Sequence, residues 1–339
     1  MGARAVAGER MILDVSHRTS YAYAERVLQS QQLIHLKPRQ GVCREGAQQQ
    51  LLRHILLVEP APSEILARTD YFGNETSILA IEGAHSELVI HARSTVEVAA
   101  APAPEVALSS AWERIGARAR TPDGQCDIAV LQFASASRHT HPLRAAIDYA
   151  LPSFAAGRPI LAAVLELTRR IHADFTFDPT ATDIATPVAR VLRERRGVCQ
   201  DFAHLALTCL RGLSLPARYV SGYLVTLPPP GMTKRNGADA SHAWIAVWAG
   251  EFGWVDFDPT NGLMPAGEHV TVAFGRDYDD VSPINGVIAR RRRPADAGRG
   301  RCDAGRLTGC ARLAAVAPSR AASHARSTTA LLCTGSRAA

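Results

Sequence analysis

No stretch of these 339 residues stays apolar for the roughly 18 residues that a membrane-spanning helix needs, and MGARAVAGERMILDV holds no apolar run long enough for a secretory signal. Membrane insertion is not expected. The start also fails the N-myristoylation pattern, because Val6 stands where Ser or Thr is required, and Met11 offers an alternative start. Cysteine is scarce and unpatterned. The seven residues Cys43, Cys126, Cys199, Cys209, Cys302, Cys310 and Cys333 show no CxxC spacing and fall far short of a disulfide scaffold. Reduced thiols and a cytoplasmic setting are the expectation. HExxH and paired Cys spacing are both absent, which argues against zinc, and no acidic cluster offers calcium a site. The chain is expected to work without a metal or other cofactor.

Basic charge is lacking where nucleic-acid binding would need it. The formal net charge is +6, but eleven arginines and two acids from Arg290 onward carry +9, which leaves the body near −3. No specific nucleic-acid partner is expected. From Ala289 the chain is Arg, Ala, Gly and Ser with little periodicity, and 289–339 reads as a disordered tail. With 47% apolar residues, the rest is long enough for two packed domains.

After an extension over 1–10, residues 11–105 read as antiparallel strands. In LVIHARSTVEV, Leu88, Ile90, Ala92, Val96 and Val98 alternate with polar residues, as in a half-buried sheet. Gly73-Asn74 supplies a turn, VEPAPSEIL supplies proline breaks, and 99–105 reads as a linker. A connecting segment over 106–157 turns helical. The region 158–288 then opens with GRPILAAVLELTRRIHADF, where Leu161, Val164, Leu165, Thr168 and Ile171 share one helical face behind Pro159. Thr186-Pro187 reads as the cap and first residue of a short helix. RRGVCQDFAHLALTCLRGLSLPARYV places Phe202, Leu205, Ala206, Cys209, Leu210 and Leu213 at helical spacing, so Cys199 falls at a helix N-terminus. Three strands follow in ARYVSGYLVT, SHAWIAVW and FGWVDFDPT.

A helix N-terminus favours negative charge on sulfur, because unpaired N–H groups and the helix dipole point there. Gly197 allows a close backbone approach just before Cys199. If Ala249-Gly250-Glu251 is the loop of the last hairpin, Trp248 faces Phe252 and His242 faces Asp258, which would let a carboxylate hold one imidazole nitrogen while the other meets the thiol. Asp256, two residues away on the same face, lies within diagonal reach of His242, and spacing leaves both acids open. Cys209 and His204 read as packing residues, and Trp244, Trp248 and Trp254 as core or cleft wall, with Trp244 also a candidate for the cleft. Gln200 is a candidate contact to a reacting carbonyl, and the backbone N–H of Cys199 a first oxyanion donor.

GVCQDFAHL, LPARYVSGYL, SHAWIAVW and GWVDFDPTNG resemble, in order, the motifs of the bacterial transglutaminase-like family, also described as candidate cysteine proteases. HRTSYAYAERVLQSQQLIHLKPR and DYFGNETSILAIE resemble that family's N-terminal β domain, and GRDYDDVSPINGV its closing segment. The resemblance implies an α+β protein, with an N-terminal antiparallel β domain before a papain-like catalytic domain. It also implies a Cys199–His242–Asp258 triad, selecting Asp258 over Asp256. Expected chemistry is acyl transfer or hydrolysis at peptide or protein amide bonds through a thioester. The alternative is a non-catalytic binding module with a vestigial triad. Where the family continues into a final strand, this chain runs into ARRRRPADAGRGRCDAGRL, which suggests a frameshifted end. Oligomeric state is not legible.

Overall fold

The computed structural model describes residues 10–44, 47–99, 102–120, 128–225, 241–290 and 325–337. The architecture is α+β: an N-terminal antiparallel sheet, then helices packed against a smaller antiparallel sheet. Strands β1 (Arg10–Ile34), β2 (Gly41–Arg44), β3 (Ala47–Glu59), β4 (Glu64–Thr69) and β5 (Glu75–Ala99) build the first sheet around the long β1–β5 pair. Period-two patterning decides which face is buried. Leu88, Ile90, Ala92, Val96 and Val98 are all buried on β5, and Ser94 keeps the beat at the position between Ala92 and Val96. The predicted turn at Gly73-Asn74 closes on Asp70, whose backbone N–H donates to the Asn74 carbonyl.

Helices α1 (Trp112–Arg120), α2 (Ile128–Leu131) and α3 (Arg144–Ala150) fill the connecting segment, followed by α4 (Ile160–Asp174), α5 (Val188–Glu194) and α6 (Cys199–Gly212). Leu161, Val164, Thr168 and Ile171 of α4 are buried, as the helical spacing predicts, and Leu165 is partly buried. Pro187 flanks α5 rather than opening it, and Thr186 donates its hydroxyl to Asp183 instead of capping the helix. Ile115 of α1 and Ala146 of α3 share one core with α4 and α6, so the connecting helices are part of that hydrophobic interior.

The second sheet runs in the order β10 (Trp254–Phe257), β9 (His242–Trp248), β8 (Ala217–Leu224), β11 (His269–Gly275). The two-residue strands β6 (Thr176–Phe177) and β7 (Arg196–Gly197) pair parallel beside the start of α6. Every residue of β8 and β9 is buried. β11 is an edge strand, and its outward backbone groups meet side-chain amides of the first sheet. Gln49 donates to the carbonyl of Thr271 and accepts from its N–H, and Asn74 does the same for Phe274. After the short helix α7 (Tyr278–Val281), β12 (Ile284–Arg290) joins the first sheet along β1.

The reading of 289–339 as disordered does not hold for its far end. β13 (Ala325–Arg337) pairs antiparallel with β1, from Met11 opposite Arg337 to Tyr23 opposite Ala325, and Cys333 is buried. The open edge of β1 supplies a complete ladder to a segment with little pattern of its own. Residues 291–324, with the ARRRRPADAGRGRCDAGRL stretch after Arg290, lie outside the described residues.

Candidate active site

Cys199 is the first residue of α6, and local geometry explains why the chain places it there. Asp201 folds back so that its Oδ2 accepts from the backbone N–H of Val198 at 2.8 Å and from the Thr182 hydroxyl at 2.5 Å. A Cβ on Gly197 would lie 2.7 Å from that same oxygen, so glycine is required there. Burial pushes the Asp201 carboxyl above the usual range despite these hydrogen bonds. The rest of α6 is buried almost throughout, which holds the thiol at a fixed rim.

Cys199 lines a cleft of about 430 Å³ with Phe177, Pro179, Tyr219, Ser241, His242 and Tyr278. Its sulfur lies 3.9 Å from the carbonyl oxygen of Ser241. His242 begins β9, where Gly222 of β8 pairs with it. A Cβ at Gly222 would overlap the Trp244 ring and the Val270 carbonyl, so glycine is needed here for close packing.

The imidazole of His242 is fully buried, and its Nε2 lies 2.9 Å from Oδ2 of Asp258. Burial alone would lower its pKa. The charge and hydrogen bond of Asp258, joined by the hydrogen bond and charge of Cys199, outweigh burial and raise it to about 10. Burial likewise works to raise the Asp258 carboxyl, but His242 and His269 hold it well below the carboxylate range. An ionised carboxylate only accepts, so Nε2 carries the proton, and Nδ1 is the nitrogen left toward Cys199. Apart from that thiol, Nδ1 has no hydrogen-bond partner.

The hairpin register differs from expectation. Trp254 pairs with Trp248 and Asp256 with Ala246, because the connection runs over residues 249–253 with a 3₁₀ turn at Gly250–Phe252. The five-residue loop shifts the pairing by two residues, which leaves every side chain on its original face. Asp258, one residue past β10, comes level with Trp244 and reaches His242 diagonally. The other acid is engaged elsewhere, since Asp256 accepts from Trp244 Nε1 at 3.1 Å.

Trp244 is therefore not a cleft residue. It is completely buried, and its ring backs that of His242 with centroids 5.9 Å apart. Gln200 does line the cleft, with its amide donating to the carbonyl of Ile184 at 3.3 Å. Cys209 is buried, and burial pushes its thiol up to about 12. His204 packs flat on His139 and accepts from the backbone N–H of Tyr278, which steadies one wall of the cleft.

Sequence reasoning missed the groups around Asp258. Its Oδ1 accepts from the backbone N–H of Thr260 and of Asn261, and its Oδ2 from Asn261 Nδ2 at 2.8 Å and from His269 Nε2 at 3.3 Å. Asn261 follows DPT directly and could have been found there. Nothing in the strand pattern of HVTVAFG marks His269. Two clusters among the described residues have ligand atoms close enough together for an ion: His242, Asp258 and His269, and His139, Asp277 and Asp279. In the first, the N–H donors that metal binding would have to displace are committed to Asp258.

A half-exposed thiol at a helix start, a buried imidazole–carboxylate pair and a four-stranded antiparallel sheet define a transglutaminase-like domain of papain-like fold. The chain belongs to the bacterial transglutaminase-like family. Residues 13–97 match the bacterial transglutaminase-like N-terminal region, and residues 150–259 match the transglutaminase-like superfamily. An uncharacterized protein of Mycobacterium tuberculosis is 38% identical over 281 residues, covering 81% of this chain and 86% of its own. Protein-glutamine gamma-glutamyltransferase of Pseudomonas aeruginosa is 30% identical over 129 residues, 38% of this chain and 19% of that protein. A candidate cysteine protease from Cytophaga hutchinsonii shares the fold, with a TM-score of 0.65 and 20% identity over 96% of this chain and 91% of that one. Family membership supports thiol-dependent acyl transfer or hydrolysis as the general chemistry.

Proposed function

We propose that the protein cleaves or transfers at amide bonds of a peptide or protein through a Cys199–His242–Asp258 triad, with no cofactor. The observation that carries this reading is the fully buried His242, bound through Nε2 to an ionised Asp258, with only the Cys199 thiol to meet its Nδ1. In the proposed mechanism the thiol proton passes to Nδ1 before the substrate is attacked, a transfer that the raised pKa of His242 favours, and the sulfur attacks the amide carbonyl carbon as a thiolate. The backbone N–H of Cys199 faces the oxygen that gains charge. As the C–N bond breaks, His242 returns the proton to the leaving nitrogen, which departs as an amine, and a thioester remains on Cys199. Water or a second amine then attacks the thioester, His242 removes its proton, and the thiol is restored. Both outcomes use the same groups, and access to the cleft decides which acceptor reaches the thioester.

The test is the pH dependence of iodoacetamide labelling at Cys199, read by peptide mass spectrometry in the native protein and in His242→Ala. Fast labelling near neutral pH, slowed in His242→Ala, supports an activated pair and justifies amide substrates with water and amines as competing acceptors. Labelling of Cys199 no faster than that of Cys209 in the unfolded chain, and indifferent to His242, would overturn the reading.

A further inference from the structure

Asp258 receives five hydrogen bonds, and their origin is uneven. Four come from His242 and from its own turn, at Thr260 and Asn261. The fifth comes from His269 on β11, the far edge of the sheet, eleven residues along the chain. His269 is buried, packs edge-on against Trp244 with centroids 5.2 Å apart, and lies 6.1 Å from the His242 ring. Two imidazoles thus converge on one carboxylate oxygen inside the protein, one of them opening onto the cleft and the other behind it.

We propose that His269 is a positioning residue for the acid–base pair: by donating Nε2–H to Oδ2 of Asp258 it shares that oxygen with His242 and fixes both the carboxylate and the imidazole from behind. This rests on the reading of Cys199, His242 and Asp258 as a triad. Because Asp258 is ionised, His269 must present a protonated Nε2 to it. A third donor on that oxygen, beside His242 and the Asn261 amide, draws off a further part of the charge that faces His242. It also pins the carboxylate plane to β11, whose outer edge is bound by Gln49 and Asn74, so the acid is set by two rigid elements. Oδ1 is already held by two backbone N–H groups, so the contribution of His269 falls on the oxygen that touches His242.

The test compares His269→Phe, which keeps a ring but removes the donor, with His269→Gln, which restores an N–H. The primary readout is proton NMR of the downfield imidazole N–H signals, assigned with His242→Gln. The native protein should show two, one from each histidine. In His269→Phe one is lost and the His242 signal moves further downfield, because its carboxylate has one donor fewer; His269→Gln brings that signal back toward its native position. The second readout is iodoacetamide labelling of Cys199, whose acid midpoint should fall in His269→Phe and recover in His269→Gln. If Phe does not fold, His269→Ala against His269→Gln makes the same comparison. An unmoved His242 signal and an unmoved labelling profile would reduce His269 to packing and overturn the proposal. Labelling that ignores His242→Ala would instead overturn the triad reading itself, so the two failures are distinguishable.

Discussion

The two larger sheets differ in how much of their polar surface water can reach. In the first sheet, strands alternate between a buried and an open face, so polar side chains such as Glu87 on β5 face solvent. In the second sheet β8 and β9 are buried on both faces, so any polar side chain there must find a partner inside the protein. His242, Asp256, Asp258 and His269 all lie in or beside that sheet, and each has a designated hydrogen bond. A sheet closed on both sides makes polar residues costly to keep unless they are organised, and here two histidines share the Asp258 carboxylate while Asp256 answers the Trp244 indole.

Substitutions in each sheet put this difference to the test. The largest effect should come from Cys199→Ala, which removes the proposed nucleophile: amide turnover should drop on the order of 10⁴-fold or more while circular dichroism and melting temperature stay near native. Next comes the pair of acids. Asp258→Asn should lower Cys199-dependent turnover by about 10²–10⁴-fold, whereas Asp256→Asn, which still offers Trp244 an acceptor oxygen, should stay within about threefold. Equal losses in kcat/KM from the two would dissolve the division of labour between them.

On the apolar face of the first sheet, shape should decide stability. Leu88→Ala empties a buried site and should cost about 2–5 kcal/mol in urea unfolding, while Leu57→Ser, at a half-exposed position, should change stability by less than about 0.5 kcal/mol. The buried polar residues of that sheet add a dependence on pH. Burial, with His91 nearby, lowers His17 to about 4, and its ring is tied to Thr19 and Tyr223. An unfolded imidazole takes up a proton near pH 6.5, but the folded one does so only near 4. Stability should therefore fall as pH drops across that window, by at most about 3 kcal/mol for this residue. His17→Gln should flatten that slope in urea midpoints measured from pH 7 to 4. The pair at His242 acts with the opposite sign. Its raised pKa contributes fully below about 6.5, and the contribution is lost as pH rises through about 10.

What was legible in the sequence follows the same division. The alternation of β5 and the apolar face of α4 are periodic signals, and each appears in the structure with the predicted residues buried. The position of Cys199 at a helix start was readable from the spacing of Phe202, Leu205, Ala206 and Cys209. Hairpin register was not, because a five-residue loop with a 3₁₀ turn looks in sequence much like a three-residue one. Even so, the error was an even number of residues, which is why His242 and Asp258 still met. Trp244 follows its reading as a core residue and not its candidacy for the cleft, since the indole N–H is spent on Asp256, a pairing that strand pattern alone does not reveal. The strand at Ala325–Arg337 left no periodic mark, since a strand completing an exposed ladder needs hydrogen-bonding backbone more than apolar alternation. His269 stayed hidden because its role depends on which strand lies beside β8, a fact of topology that no local pattern carries.

The amides of Gln49 and Asn74 have one further consequence. They join the two halves of the molecule through groups that carry no charge at any pH and are little screened by salt, unlike the ion pairs that often fasten domains together. Acidification or high ionic strength should therefore loosen surface pairs such as Arg10–Glu97 well before it separates the sheets. The same two side chains fill hydrogen-bonding sites that a foreign strand would need in order to add to β11, so the joint also serves as a stopper against self-association through that edge.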